Sequence, residues 1–111
     1  MATTQDFVEF VCEQIHGTGT VRYRKMFGEY MVYVNDKPIL LAADNMAYVK
    51  KLSCNESLLS AAEVGCPYTG AKEHYILDIE NGALAREVVA AMEPVVPIPK
   101  KRKKKSDTVA D

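Results

Sequence analysis

The sequence predicts a single α+β domain: an antiparallel sheet of about four to five strands in meander order, packed with an N-terminal helix, a short middle helix and a C-terminal helix. Three observations predict it. Apolar residues recur at helical spacing near both ends of the folding part, β-branched and aromatic residues fill the stretch 21–50, and turn dipeptides cut that stretch into strand-sized pieces. A chain of 111 residues has room for one core, and its 48% hydrophobic and 26% charged residues are an ordinary globular composition.

The first helix is announced by Thr3-Thr4 and Asp6, which suit an N-cap, with Phe7, Val11 and Ile15 recurring every four residues beside Val8 and Cys12. It should stop at Gly17-Thr18-Gly19, where glycines remove helix propensity. From Val21 to Lys50 four strands are expected, turned at Gly28, Asn35-Asp36 and Asp44-Asn45. Asn and Asp tolerate the left-handed backbone that tight hairpins require. Tyr30-Met31-Val32-Tyr33-Val34 and Ile39-Leu40-Leu41-Ala42-Ala43 are apolar at nearly every position, so both sheet faces are expected to be covered, by the chain's own helices or by a second copy in a homodimer.

Ser53 with Glu56 resembles a capping box, and Leu58, Leu59 and Ala62 give the stripe of a short helix that Gly65 and Pro67 close. His74-Tyr75-Ile76-Leu77-Asp78-Ile79 reads as the fifth strand. Asn81 should cap a last helix lined by Leu84, Val88 and Met92, which Pro94 ends. The domain thus spans residues 1–93. Residues 94–111 form a Pro-rich arm, Pro94 to Pro99, and a basic tail expected to be disordered.

Charge is divided along the chain. Residues 1–99 carry 8 Lys and Arg against 13 Asp and Glu, a net of −5, whereas residues 100–111 carry 6 against 2, a net of +4. A polyanion would be repelled by most of the body and drawn to the tail. The first ten residues lack a basic region followed by an apolar run, and no stretch approaches the roughly 20 apolar residues of a membrane span, so a cytoplasmic location away from membranes is expected. Cys12, Cys54 and Cys66, odd in number and widely spaced, suit reduced thiols and read as small buried hydrophobes.

Catalytic patterns are sparse. Gly17-Thr18-Gly19 lacks the third glycine and the lysine of phosphate cradles, so no cofactor is expected. Cys54, Cys66 and His74 lack short ligand spacing, and no metal site is assigned. His16 falls at a helix end, where it suits the free carbonyls, and His74 reads as an edge-strand polar residue. An enzyme would have to use an unfamiliar site, such as His74 with Glu73 and Tyr75. The chain reads instead as a binding protein, with no catalytic residues.

Two basic clusters are candidate contacts. Arg22, Arg24 and Lys25 interleave with Tyr23, as nucleic-acid surfaces do, although strand alternation puts Arg22 and Arg24 on one face and Tyr23 and Lys25 on the other. Lys100, Lys101, Arg102, Lys103, Lys104 and Lys105 match the basic runs that make loose, non-specific DNA contact.

Arg24-Lys25-Met26-Phe27-Gly28-Glu29-Tyr30, followed by Val32-Tyr33-Val34-Asn35-Asp36, resembles the N-terminal domain of the TfoX/Sxy family, bacterial regulators linked to natural competence. The likeness continues through Ile39-Leu40-Leu41-Ala42-Ala43-Asp44 and Tyr48-Val49-Lys50 to Gly65-Cys66-Pro67-Tyr68, and covers residues 5–92. A second glycine is usual in that family where Glu29 stands, and two-domain members carry a further helical domain, so this chain is similar to the short members. The resemblance implies an α+β domain and an accessory role in transcription regulation through a protein partner. It carries over no catalytic residues.

Overall fold

Four non-glycine residues with left-handed backbone set the course of the sheet. Asn35 and Asp36 have φ of 53° and 67°, and Asp44 and Asn45 have φ of 54° and 56°. Positive φ at both central residues gives turns whose twist matches antiparallel strands, so each dipeptide folds the chain into a hairpin. The computed structural model describes residues 3–26 and 28–98. Their elements are α1 (Gln5–Gln14), β1 (Val21–Met26), β2 (Glu29–Val34), β3 (Lys37–Ala43), β4 (Met46–Lys50), β5 (Val64–Gly65), β6 (His74–Leu77) and α2 (Gly82–Met92).

The strands form one antiparallel sheet of six in the order β1-β2-β3-β4-β6-β5. The α+β class and the meander through β4 agree with the sequence. The additional strand is Val64–Gly65, whose two residues are too short to show a period. Since it pairs with β6, His74 lies opposite Gly65 inside the sheet and not on an edge strand.

Both helices cover one face. The Thr4 hydroxyl accepts from the Phe7 amide to cap α1, and the Asn81 side chain accepts from the Leu84 amide to cap α2. Val8 and Val11 from α1, Ile15 just after it, and Ala85, Val88, Val89 and Met92 from α2 are buried against Tyr30, Val32, Val34, Leu40, Ala42, Ala47, Val49 and Leu77 of the sheet. After Pro94, Val96 folds back onto this core.

The expected middle helix is instead a succession of turns over residues 53–62. Asn55 organises it, not Ser53. Its Oδ1 accepts from the Leu52 amide at 3.1 Å, its Nδ2 donates to the Lys50 carbonyl at 2.9 Å, and its side chain is wholly buried. Ser53 and Glu56 stay exposed, so their capping-box spacing is not used.

Thr3 ties the chain's start to the hairpins. Its hydroxyl donates to the Glu29 carboxylate at 2.7 Å, and the same carboxylate accepts from the Asp44 amide at 3.1 Å. At the other end of the sheet, Lys37 pairs with Glu93 at 3.1 Å, and Asn35 Nδ2 donates to Glu93 at 3.2 Å. Gly19 abuts this corner: a Cβ there would lie 2.7 Å from Asn35 Nδ2.

Candidate functional site

Antiparallel partners point to the same face, so the register sorts every strand residue. One cross-strand row runs Arg24, Met31, Leu41, Tyr48 and Ile76. A second runs Lys25, Tyr30, Ala42, Ala47 and Leu77. The second row is the one beneath the helices, since Tyr30, Ala42, Ala47 and Leu77 belong to the core. The first therefore belongs to the face the helices leave open.

That face holds a groove of about 930 Å³ with Met31, Leu41 and Tyr48 in its floor. Met26 lies on the β1 side, and the loop 66–73 between β5 and β6 contributes Tyr68 and Lys72. Pro67 is buried and anchors the loop, while Tyr68 is 60% exposed. The Tyr48 phenol is raised above 10.0 by burial first and by neighbouring Asp44, Cys66 and Glu29 next, so it stays neutral and offers an O–H, here directed to Met46 Sδ.

Arg22 and Arg24 stand together on the open face, as alternation requires, and Lys25 lies on the helix side opposite Tyr30. The sequence cluster is therefore split between faces. Arg22 pairs with Asp36 at 2.5 Å, with both side chains mostly exposed. Lys50 and Lys72, not singled out by the sequence reading, line the groove with His74. Among the described residues Arg24, Lys50 and Lys72 have no ion-pair partner. Residues 100–105, the second cluster, lie outside the described residues.

His74, Glu73 and Tyr75 do not converge. His74 and Tyr75 alternate across the sheet, Glu73 is engaged by Lys51 at 2.5 Å, and the Lys51 ammonium sits 5.5 Å from the Tyr75 ring centroid. The hydrogen bond to Glu73 raises the Lys51 pKa from its ordinary 10.5. His74 Nδ1 is instead 2.7 Å from the Lys72 carbonyl. His16 is exposed just beyond α1, and among the described residues only its backbone is bonded, to the Glu13 carbonyl. Cys12 and Cys54 pack partly buried against the core, but Cys66 is exposed, a departure from the expected buried thiol, because it opens the loop that leaves the sheet. Among the described residues no His, Cys, Asp and Glu side chains gather into a group of three or more that could hold a metal ion. No described helix is long and apolar enough to cross a membrane.

The fold and face define a small two-layer α+β protein with a helix-free, groove-bearing sheet surface. No family model matches the chain. It is 32% identical over 110 residues to the "Uncharacterized 12.7 kDa protein in trpE 5'region" of Spirochaeta aurantia, across 97% of this chain and 96% of that protein. The chain belongs to the same family as that protein.

Proposed function

We propose that this protein is a TfoX-like accessory protein of the bacterial cytoplasm, acting in transcription regulation by docking a protein partner on the open face of its sheet. The observation that carries the reading is the row Met31, Leu41 and Tyr48, an apolar floor on the side without helices. Grooves of this kind, largely apolar with a few polar groups at their margins, are where folded domains take ligands and partner segments. The residues resembling the TfoX/Sxy core include the end of β1 and all of β2, and Met26, Glu29 and Met31 among them line the groove.

Affinity capture from a reducing bacterial lysate tests this. Wild type should retain a transcription-associated protein that a Met31→Glu variant of equal thermal stability loses. Retention of no such protein above background would remove the reading.

A second reading, direct non-specific nucleic-acid binding, draws on Arg22 and Arg24 sharing a face with Lys50 and Lys72. Titrating mixed-sequence duplex DNA with the full chain and with a chain stopped after Pro99 weighs it. Six tail cations predict a log-log salt slope of roughly −5 for the full chain. Charge reversal at Arg22 and Arg24 should weaken binding further only if the face takes part.

A further inference from the structure

The chemistry of the open face selects what can lie on it. A segment crossing the face meets side chains rather than a strand edge, so its own backbone N–H and C=O groups must be satisfied internally. A helix achieves that and an extended strand does not. From β1 to β4 are three strand spacings, about 14 Å, and a helix with side chains is about 10–12 Å across. The unbranched Met31 on the floor adapts to an irregular apolar stripe.

The flanks are cationic. Arg24 stands in β1 opposite Met31 of the floor, just outside the groove lining, Lys50 and Lys72 line the other side, all three are exposed, and none has an ion-pair partner among the described residues. Glu29, opposite Met26, adds one carboxylate to the lining, held in place by Thr3 and the Asp44 amide. The helix side carries more acid than base, with Asp6, Glu9, Glu13 and Glu87 exposed on α1 and α2 against Lys25 and Arg86. Of the described cations without an ion-pair partner, Arg24, Lys50 and Lys72 thus stand around the groove floor, while Lys25 and Arg86 lie on the helix side.

We propose that the open face binds an amphipathic helix of a partner protein whose apolar stripe is bordered on both sides by Asp or Glu. This deepens the docking reading and rests on it. A second copy of the chain is a poorer complement, since a two-fold axis through this face brings both sets of Arg24, Lys50 and Lys72 together. Nucleic acid is also a poorer one, because the floor residues Met31 and Leu41 offer no ring for a base to stack on and Tyr48 is only 6% exposed, which leaves Tyr68 on the loop at the margin as the exposed ring.

The test is selection from a display library of randomised helical peptides of about 18 residues, five turns, on the full-length protein. Counter-selection uses the Arg24→Glu, Lys50→Glu, Lys72→Glu variant, after circular dichroism shows it folded; the corresponding alanine variant replaces it otherwise. Recovered peptides should carry Asp or Glu on both sides of an apolar i, i+3, i+4 stripe. They should bind wild type at least about tenfold more tightly than the variant, with affinity falling as salt rises. Recovery of nothing, or of peptides without acidic flanks, overturns the inference. So does displacement of the peptides by mixed-sequence DNA, or concentration-dependent dimerisation that Met31→Glu abolishes, which would give the face to a second copy. If capture from lysate still depends on Met31 while acidic flanks are not selected, this inference falls and the docking reading stands; if capture fails as well, both fall.

Discussion

Replacing Asn55 by alanine tests how the turns between β4 and β5, and through them the groove-side loop, are held in place. The side chain is fully buried and satisfies the Leu52 amide at 3.1 Å and the Lys50 carbonyl at 2.9 Å. Alanine leaves both backbone groups without these partners. An orphaned buried group costs about 1–3 kcal/mol; with this segment near the surface, the lower end of that range applies, about 1–1.5 kcal/mol each, or about 2–3 kcal/mol for the two. A domain of this size loses about 4–8 °C per kcal/mol, so Tm should fall by about 10–20 °C. In urea, an m value of about 1–1.5 kcal/mol/M converts the same loss to a midpoint lower by about 2 M. Asn55→Asp keeps the acceptor but turns a carboxylate toward the Lys50 carbonyl, so it should be more harmful at neutral pH than at about pH 3 relative to wild type. A loss below about 0.5 kcal/mol for Asn55→Ala, with m unchanged, would refute the claim that these two bonds hold the segment.

Gly19→Ala should destabilise by about 1–3 kcal/mol, because φ is 150° and the new methyl would meet Asn35 at 2.7 Å and Val34 at 2.9 Å; thermal denaturation reads it, and an unchanged Tm would contradict the packing. The Lys37 ammonium, then the Asn35 amide, holds the Glu93 carboxyl below its ordinary 4.5. A lowered folded-state pKa adds stability above the unfolded pKa that is lost as pH falls through the folded one, so Lys37→Met should flatten the acid side of the stability profile and return the Glu93 NMR titration toward 4.5. Cys66 is exposed, whereas burial first and Glu9 second push the Cys12 thiol above 9.0. Alkylation at about pH 8 should therefore modify Cys66 first, with Cys12 at least about tenfold slower; equal rates would show that the helix face is open to solvent.

Strand residues were legible because their signals are local. Asn35-Asp36 and Asp44-Asn45 fix two hairpins by backbone preference alone, and Thr4 and Asn81 cap the helices through their own side chains. The middle segment misleads for the opposite reason. Ser53 and Glu56 have capping-box spacing, but a buried amide at Asn55 commits the nearby backbone to turns. The groove was half legible: apolar residues at both parities in 30–34 and 39–43 announced two apolar faces, yet only the register shows which side the helices take. Lys50 and Lys72 carried no local sign, since the loop that brings Lys72 to the groove is placed by the pairing of β5 with β6.

The basic residues of β1 have an explanation that needs no partner, and it separates cleanly from the docking argument. β1 is the edge of the sheet, pairing with β2 alone, and cations on an edge strand hinder pairing between copies. Lys25 fits that role, because it points to the helix side, away from the groove. Edge protection does not account for Lys50, which lies in a strand paired on both sides, or for Lys72, which lies in a loop. The two causes therefore predict different losses. Lys25→Ser should increase aggregation on heating and leave binding of an acid-flanked helix unchanged, while Lys72→Ala should weaken that binding and leave aggregation unchanged. Arg24, on the edge and beside the groove at once, should do both, and static light scattering with peptide anisotropy on the three variants measures each effect. Equal behaviour of Lys25 and Lys72 in the two assays would mean that net charge alone, not its placement around the groove, governs what this face attracts.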